Sequence, residues 1–304
     1  MPDPSAAAGT PAAGTPAAGT PAAGPPAPGT PAAEALAAES SALAAVFADL
    51  RDEGRELDAL VAGLPGTAWA RPTPAPGWSI AHQIAHLHWT DQAALLALTD
   101  AEGFARRVEE ALKAPESFVD EGAEEGAALA PAELLARWRE GRAALDAALA
   151  AASPDARFPW YGPPMKAASM ASARLMETWA HGQDVADALG VRRIPTARLR
   201  HVARIGVRAR DYAYAVRGLP APQAEFRVEL AAPGTGEVWA YGPADAVQRI
   251  AGPALDFCLL VTQRAHRADL GLTATGPDAD QWLGIAQAFA GPAGPGRAPQ
   301  GSRR

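Results

Sequence analysis

Histidine carries most of the reactive chemistry in this 304-residue chain, and its placement is uneven. Three of the six histidines fall within Ala81-His82-Gln83-Ile84-Ala85-His86-Leu87-His88, and a fourth closes Met176-Glu177-Thr178-Trp179-Ala180-His181. Residues four apart on a helix differ by about 40° of rotation and one turn of rise, so they share a face. Glu177 and His181 therefore point the same way, with Asp184 continuing the line, and His82 and His86 form a second such pair. His88, two residues on, should face elsewhere. Facing helices of a bundle can gather such pairs around one point and hold a metal ion. The same spacing also suits packed histidines or a surface hydrogen bond, so both readings stand. Apolar neighbours (Ile84, Ala85 and Leu87; Leu175 and Met176) favour burial, where a carboxylate is costly unless it is paired or bound to a cation.

The elements that must position these residues follow from periodicity. Leu36, Leu43, Val46, Phe47, Leu50, Leu57, Leu60 and Val61 recur mostly at three-, four- and seven-residue steps, marking one long helix from Glu34 to Leu64. Ser79 is the expected N-cap of a second helix reaching about Leu98. Between 100 and 130, Phe104–Val108 reads as helix and Glu116–Glu125 as loop. Pro131 opens a third long helix with a Leu134, Leu135, Trp138, Leu145, Leu149 stripe. A fourth runs from about Lys166 to Leu189, with Gly190 placed to end it. Four long helices predict an all-α four-helix bundle over 34–190. Beyond Pro195, Leu199 to Val216 marks one more amphipathic helix. Phe226–Leu230 and Glu237–Tyr241 then alternate around Pro233-Gly234-Thr235-Gly236, a hairpin pattern. With a short strand at Leu270–Ala274 and helices near 253–265 and 277–290, residues 196–290 predict a small α+β domain.

Composition narrows the function classes. Residues 9–33 repeat five-residue Gly-Thr-Pro-Ala-Ala units, so 1–33 reads as a disordered tail, and 291–304 as a second tail. The single cysteine, Cys258, rules out intramolecular disulfides and a cysteine-built zinc site, and its apolar setting suits a buried thiol. No segment has the length of a membrane span and no secretory leader is visible, which predicts a cytoplasmic protein. The net charge of −7 argues against bulk nucleic-acid binding. A local basic segment is nonetheless present: Arg192, Arg193, Arg198, Arg200, Arg204, Arg208 and Arg210, with no acid among them.

Two motifs carry a resemblance. Pro74-Ala75-Pro76-Gly77-Trp78-Ser79-Ile80 followed by Ile84-Ala85-His86-Leu87, and Glu177-Thr178-Trp179-Ala180-His181-Gly182-Gln183-Asp184-Val185, resemble the metal motifs of the mycothiol-dependent maleylpyruvate isomerase family. That family is a branch of the DinB-like four-helix metalloproteins, and the similarity spans about 38–190. The C-terminal part resembles the family's small sterol-carrier-like domain. Within the family the chain is most similar to an actinobacterial branch described only as metal-binding, some of it linked to wyosine-type tRNA modification.

The resemblance implies metal ligation by His86, Glu177 and His181. Two histidines and a glutamate leave a coordination place open, the catalytic pattern for Zn2+, the divalent metal expected here. His82 is a candidate fourth ligand, and Asp184 and Gln183 are candidates to orient a ligating imidazole. The family also uses an arginine of its C-terminal domain, for which Arg264 and Arg267 are the nearest counterparts. Mycothiol or another low-molecular-weight thiol is the implied cofactor, and a thiol-dependent isomerase or transferase acting on a small-molecule substrate the implied activity. The competing expectation is a non-catalytic metal-binding module, or an RNA-binding, tRNA-modification-associated protein using Arg192–Arg210. Nucleic acid and membrane are not the expected partners, and monomer and homodimer both remain open.

Overall fold

The computed structural model describes residues 31–114 and 117–300. The repeats up to residue 30, expected as tail, and residues 301–304 lie outside them. The chain divides into two units, Met1–Ser41 and Ala42–Arg304. The first helix, α1 (Pro31–Val61), already begins within the span expected as tail. Three further long helices follow at the expected places: α2 (Ile80–Thr99), then α5 (Pro131–Ala151) and α6 (Ala167–Leu189). Pro131 stands at the start of α5, where its missing N–H costs no helical hydrogen bond. Gly190, at φ 70°, closes α6 in the left-handed conformation that glycine adopts without Cβ strain.

Between α2 and α5 the expectation needs correcting. After α3 (Ala101–Ala111), the stretch expected as loop is largely helical, α4 (Phe118–Ala127). It packs closely on α2 through glycine: a Cβ on Gly126 would lie 2.7 Å from that of Ala85. Two short strands, β1 (Arg157–Phe158) and β2 (Met165–Lys166), pair antiparallel in the connection to α6.

The C-terminal region is a small mixed sheet with helices. The single helix expected over 199–216 is broken at Ala209 into α7 (Leu199–Arg208) and α8 (Arg210–Ala215). β3 (Phe226–Ala231) and β4 (Val238–Tyr241) form the expected antiparallel hairpin. A strand the sequence did not announce, β5 (Gln248–Pro253), pairs parallel with β3, and β6 (Thr273–Thr275) pairs antiparallel with β5. The order across the sheet is β4-β3-β5-β6. Phe226, Val228 and Leu230 of β3 turn inward, and Phe226 meets the buried Trp282 of α10 (Pro277–Ile285) edge-on. Phe257 of α9 (Ala254–Val261) packs on the same indole.

One apolar core runs through both regions, from Met170, Leu175 and Trp179 of α6 to Phe257, Leu260 and Trp282. A second core gathers Leu57, Ile80, Ile84, Leu87, Leu134, Trp138 and Val185 where α1, α2, α5 and α6 meet. α2 is central to the helical region and packs on α4, α5 and α6. Those contacts fix the face of α2 that α6 sees. Among the described residues no helix is long and apolar enough to cross a membrane.

Candidate metal centre

The packing of α2 on α6 brings His86 to Glu177 and His181. Glu177 Oε2 lies 3.5 Å from His86 Nε2 and 3.2 Å from His181 Nε2. Across the three residues, the ligand atoms lie within 4.8 Å of one another. Ligand atoms about 2.1 Å from a tetrahedral ion stand about 3.4 Å apart, so these separations suit a shared cation.

The hydrogen bonding sharpens that fit. Thr73 Oγ1 donates to the Trp78 carbonyl at 2.8 Å and accepts from Gln83 Nε2 at 2.8 Å. This orients the Gln83 amide so that its oxygen accepts from His181 Nδ1, 2.5 Å away. The proton of a neutral His181 is thereby held on Nδ1, and the Nε2 lone pair faces the carboxylate. Burial and the neighbouring His86 lower the His181 pKa to about 4, against the raising effect of Glu177. Burial works to raise the Glu177 pKa, yet the group is held well below the usual carboxylate range, the charge of Arg174 being among the lowering influences. A neutral imidazole lone pair and an anionic oxygen 3.2 Å apart are two acceptors in opposition, which an intervening cation converts into attraction. His86 Nδ1 is buried without a hydrogen-bond partner among the described residues.

Aromatic rings enclose the cluster. Trp78 stacks on His181 at 5.8 Å between ring centres and lies 5.2 Å from His86, while its Nε1–H donates to Asp120 of α4 at 3.0 Å. Trp89 stacks on His86 from another side. Trp78 and His82 also line a cleft of about 530 Å³ with Trp69, Pro72 and Leu129.

His82 does not join the cluster. Its Nδ1 accepts from Ser79 at the start of α2, through the backbone N–H at 3.3 Å and Oγ at 2.7 Å, and its Nε2–H donates to Glu124 at 2.7 Å. It completes the helix cap in the way a glutamate does in a capping box. His88 faces α5, near Gly141, as the spacing requires. Asp184 is buried, but its oxygens accept from Arg264 at 2.9 Å and from Arg297, not from an imidazole. Gln183 bonds the exposed Asp187 one turn on. It is Gln83, not Asp184 or Gln183, that hydrogen-bonds an imidazole of the cluster.

Of the two arginine counterparts, only Arg264 comes near. Gln263, at φ 58°, turns the chain after α9 and sends the Arg264 side chain back towards α6, where its charge helps to depress His181. Arg267 pairs with Asp280 at the surface. Arg297 lies in the segment expected as tail, yet its ion pairs with Asp184 and Asp187 tie that segment to α6. Gln83, Trp78 and Arg297 were not among the expected site residues. Gln83 sits inside the histidine motif on an apolar helix face, which was the available signal.

Residues 50–186, which contain the cluster, match the mycothiol maleylpyruvate isomerase N-terminal domain. Residues 222–275 match a family described as wyosine base formation. Two uncharacterised proteins from strains of Mycobacterium tuberculosis are each 58% identical over 250 residues, covering 82% of this chain and 97% of theirs. The chain belongs to one family with these mycobacterial proteins, and its residues 50–186 carry the mycothiol maleylpyruvate isomerase N-terminal domain. The crystal structures of the mycothiol-dependent maleylpyruvate isomerase and of a point mutant share the fold. Their TM-scores are 0.51 and 0.52 at 17% identity, over 76% of this chain and 92% of theirs.

Proposed function

We propose that His86, Glu177 and His181 hold a divalent cation, Zn2+ by donor set, and that the protein is a metal- and thiol-dependent isomerase or transferase for a small molecule. In this reading the helical region over 34–190 is a DinB-like four-helix bundle, and 196–290 a sterol-carrier-like domain that brings Arg264 to it. The observation that carries the proposal is the convergence of three ligand atoms on one point with no donor between Glu177 and His181. Bound zinc would supply Lewis acidity, lowering the pKa of a thiol or polarising a carbonyl. The chain's own residues do the rest. Gln83 keeps His181 in the ligating tautomer, Trp78 and Trp89 limit access of water, and Arg264 places positive charge beside the cluster. Mycothiol, named for the structural relatives, is the first thiol to test.

The test is elemental analysis of protein purified without a histidine tag, alongside Glu177→Ala and His86→Ala. Near-stoichiometric zinc in the wild type, lost in both folded variants, is expected. A wild type that takes up no metal after reconstitution would overturn the site.

A second reading, RNA binding linked to tRNA modification, draws on the wyosine match. Several arginines of its basic segment are already engaged: Arg193 and Arg198 with Glu53 and Glu56, Arg200 with Glu237, Arg210 with Asp211. RNA affinity that falls steeply with salt and with Arg200→Ala plus Arg204→Ala, at unchanged metal content, would favour it.

A further inference from the structure

The basic face of α7 is left without acceptors at close range. Arg200, Arg204 and Arg208 recur every four residues and so share one face of that helix. The opposite face is locked: Leu199, Val202 and Ala203 are buried, and a Cβ on Gly206 would stand 2.8 Å from Val261 of α9. The row of arginines is therefore carried on a fixed element. Arg204 and Arg208 are exposed, and their side chains make no ion pair or hydrogen bond among the described residues. Arg200 lies 5.8 Å from the centre of the Trp239 ring, and its ion-pair partner, the exposed Glu237, is 3.7 Å away.

The edge strand β4 meets this row with a further donor. Trp239 and Tyr241, two apart on the strand, point to the same face of the sheet. Trp239 is buried and forms a floor under Arg200. The Tyr241 hydroxyl oxygen is buried with no hydrogen-bond partner among the described residues. Burial raises the pKa of this phenol, against which the charges of Arg200 and Arg204 both act. A buried hydroxyl without an acceptor is costly. Here one O–H and two guanidiniums all donate, and Glu237 stands beyond hydrogen-bond distance of Arg200. An oxyanion completes such a set. Phosphate has oxygens enough to meet all three donors and up to two charges to balance two arginines.

We propose that Arg200, Arg204 and the Tyr241 hydroxyl form a binding site, between α7 and β4, for a phosphate group, free or esterified. The site is independent of the metal reading. The RNA reading would bring a backbone phosphate to the same face, but the site does not rest on it.

The experiment is calorimetric titration of the full-length protein with inorganic phosphate at constant ionic strength, with acetate as an anion of lower charge. Phosphate should saturate and bind at least about tenfold more tightly than acetate. Arg204→Gln, at an exposed position, and Tyr241→Phe, which removes only the orphaned hydroxyl, should each weaken phosphate by about fivefold or more without loss of thermal stability. Glu237→Gln removes the competing carboxylate and should tighten phosphate by up to about fivefold. Arg192→Gln, at an exposed arginine outside α7, should change nothing. Because phosphate can also ligate a metal, Glu177→Ala should abolish metal uptake with phosphate still bound. No saturable binding, equal losses for Arg204→Gln and Arg192→Gln, or loss of phosphate in Glu177→Ala would overturn the site. A single-stranded oligoribonucleotide distinguishes the source. Competition with phosphate that disappears in Arg204→Gln assigns the site to backbone phosphate, whereas no competition assigns it to small phosphate compounds and overturns the RNA reading.

Discussion

Two of the clusters of buried charged and ionisable groups in the helical region are built in opposite ways. In one, Glu53 of α1, 1% exposed, accepts from Arg193 and, at 2.7 Å, from Arg198. Glu56, one turn on, accepts from the same two guanidiniums, so two acids meet two bases and every charge is answered. In the other, Glu177 meets two imidazoles, one of them held neutral with its lone pair forward. The paired cluster fastens the segment after α6 to α1, and Arg193 also donates to the Trp179 carbonyl. It is complete without a ligand. The centre at His86 leaves a lone pair facing a carboxylate, and in the proposed reading a cation completes it. Depth of burial does not distinguish them; the balance of donors and acceptors does.

The largest expected effect falls on the paired cluster. Removing one partner of a buried ion pair leaves uncompensated charge, so Glu53→Ala should lower the unfolding free energy by about 3–5 kcal/mol. Urea unfolding measures this, and zinc bound per folded molecule should stay as in the wild type. Loss of zinc at unchanged stability would erase the distinction between the clusters.

The expected reading of the sequence succeeded where spacing alone decides geometry. Glu177 and His181 share a face because helices repeat every ~3.6 residues, and α2 and α6 carry clear start and stop signals in Ser79 and Gly190. It failed where the deciding partner is distant. Asp184 lies on the right face, but arginines 80 and 113 residues away claim it. The role of Gln83 depends on how α2 and α6 are set against each other, which neither segment encodes alone. α4 looked like loop because Gly122 and Gly126 weaken helix propensity. Those same glycines admit the close contact, since a Cβ on Gly122 would lie 2.6 Å from Trp89 Nε1. β5 ends in Gly252-Pro253 and pairs with β3 across a wide sequence gap, so it carries little local signal.

Gln83 gives the next effect in size. Gln83→Leu removes the acceptor that holds His181 in its ligating tautomer and leaves the fold's ion pairs intact. Loss of such an orienting partner costs about 10–100-fold in metal affinity, so zinc competition against a chelator should show a shift in that range. Gln183→Leu, at the half-buried position bonded to the exposed Asp187, is the control and should show none. Equal shifts for the two would mean that tautomer control does not govern the centre.

The smallest effect should come from Glu56. It shares both arginines with Glu53, but its side chain is 30% exposed where that of Glu53 is 1% exposed. Water and salt screen what Glu56 contributes, and its loss leaves Glu53 still bridging both guanidiniums. Glu56→Gln should therefore cost about 1 kcal/mol or less, and the cost should shrink as salt rises. The Glu53 effect should persist at high salt, because the pair it breaks is closed to solvent. Equal and equally salt-sensitive losses at both positions would mean that the arginines draw their stability from net charge alone. Unequal losses would assign the anchoring of the segment after α6 to the one carboxylate that both arginines enclose.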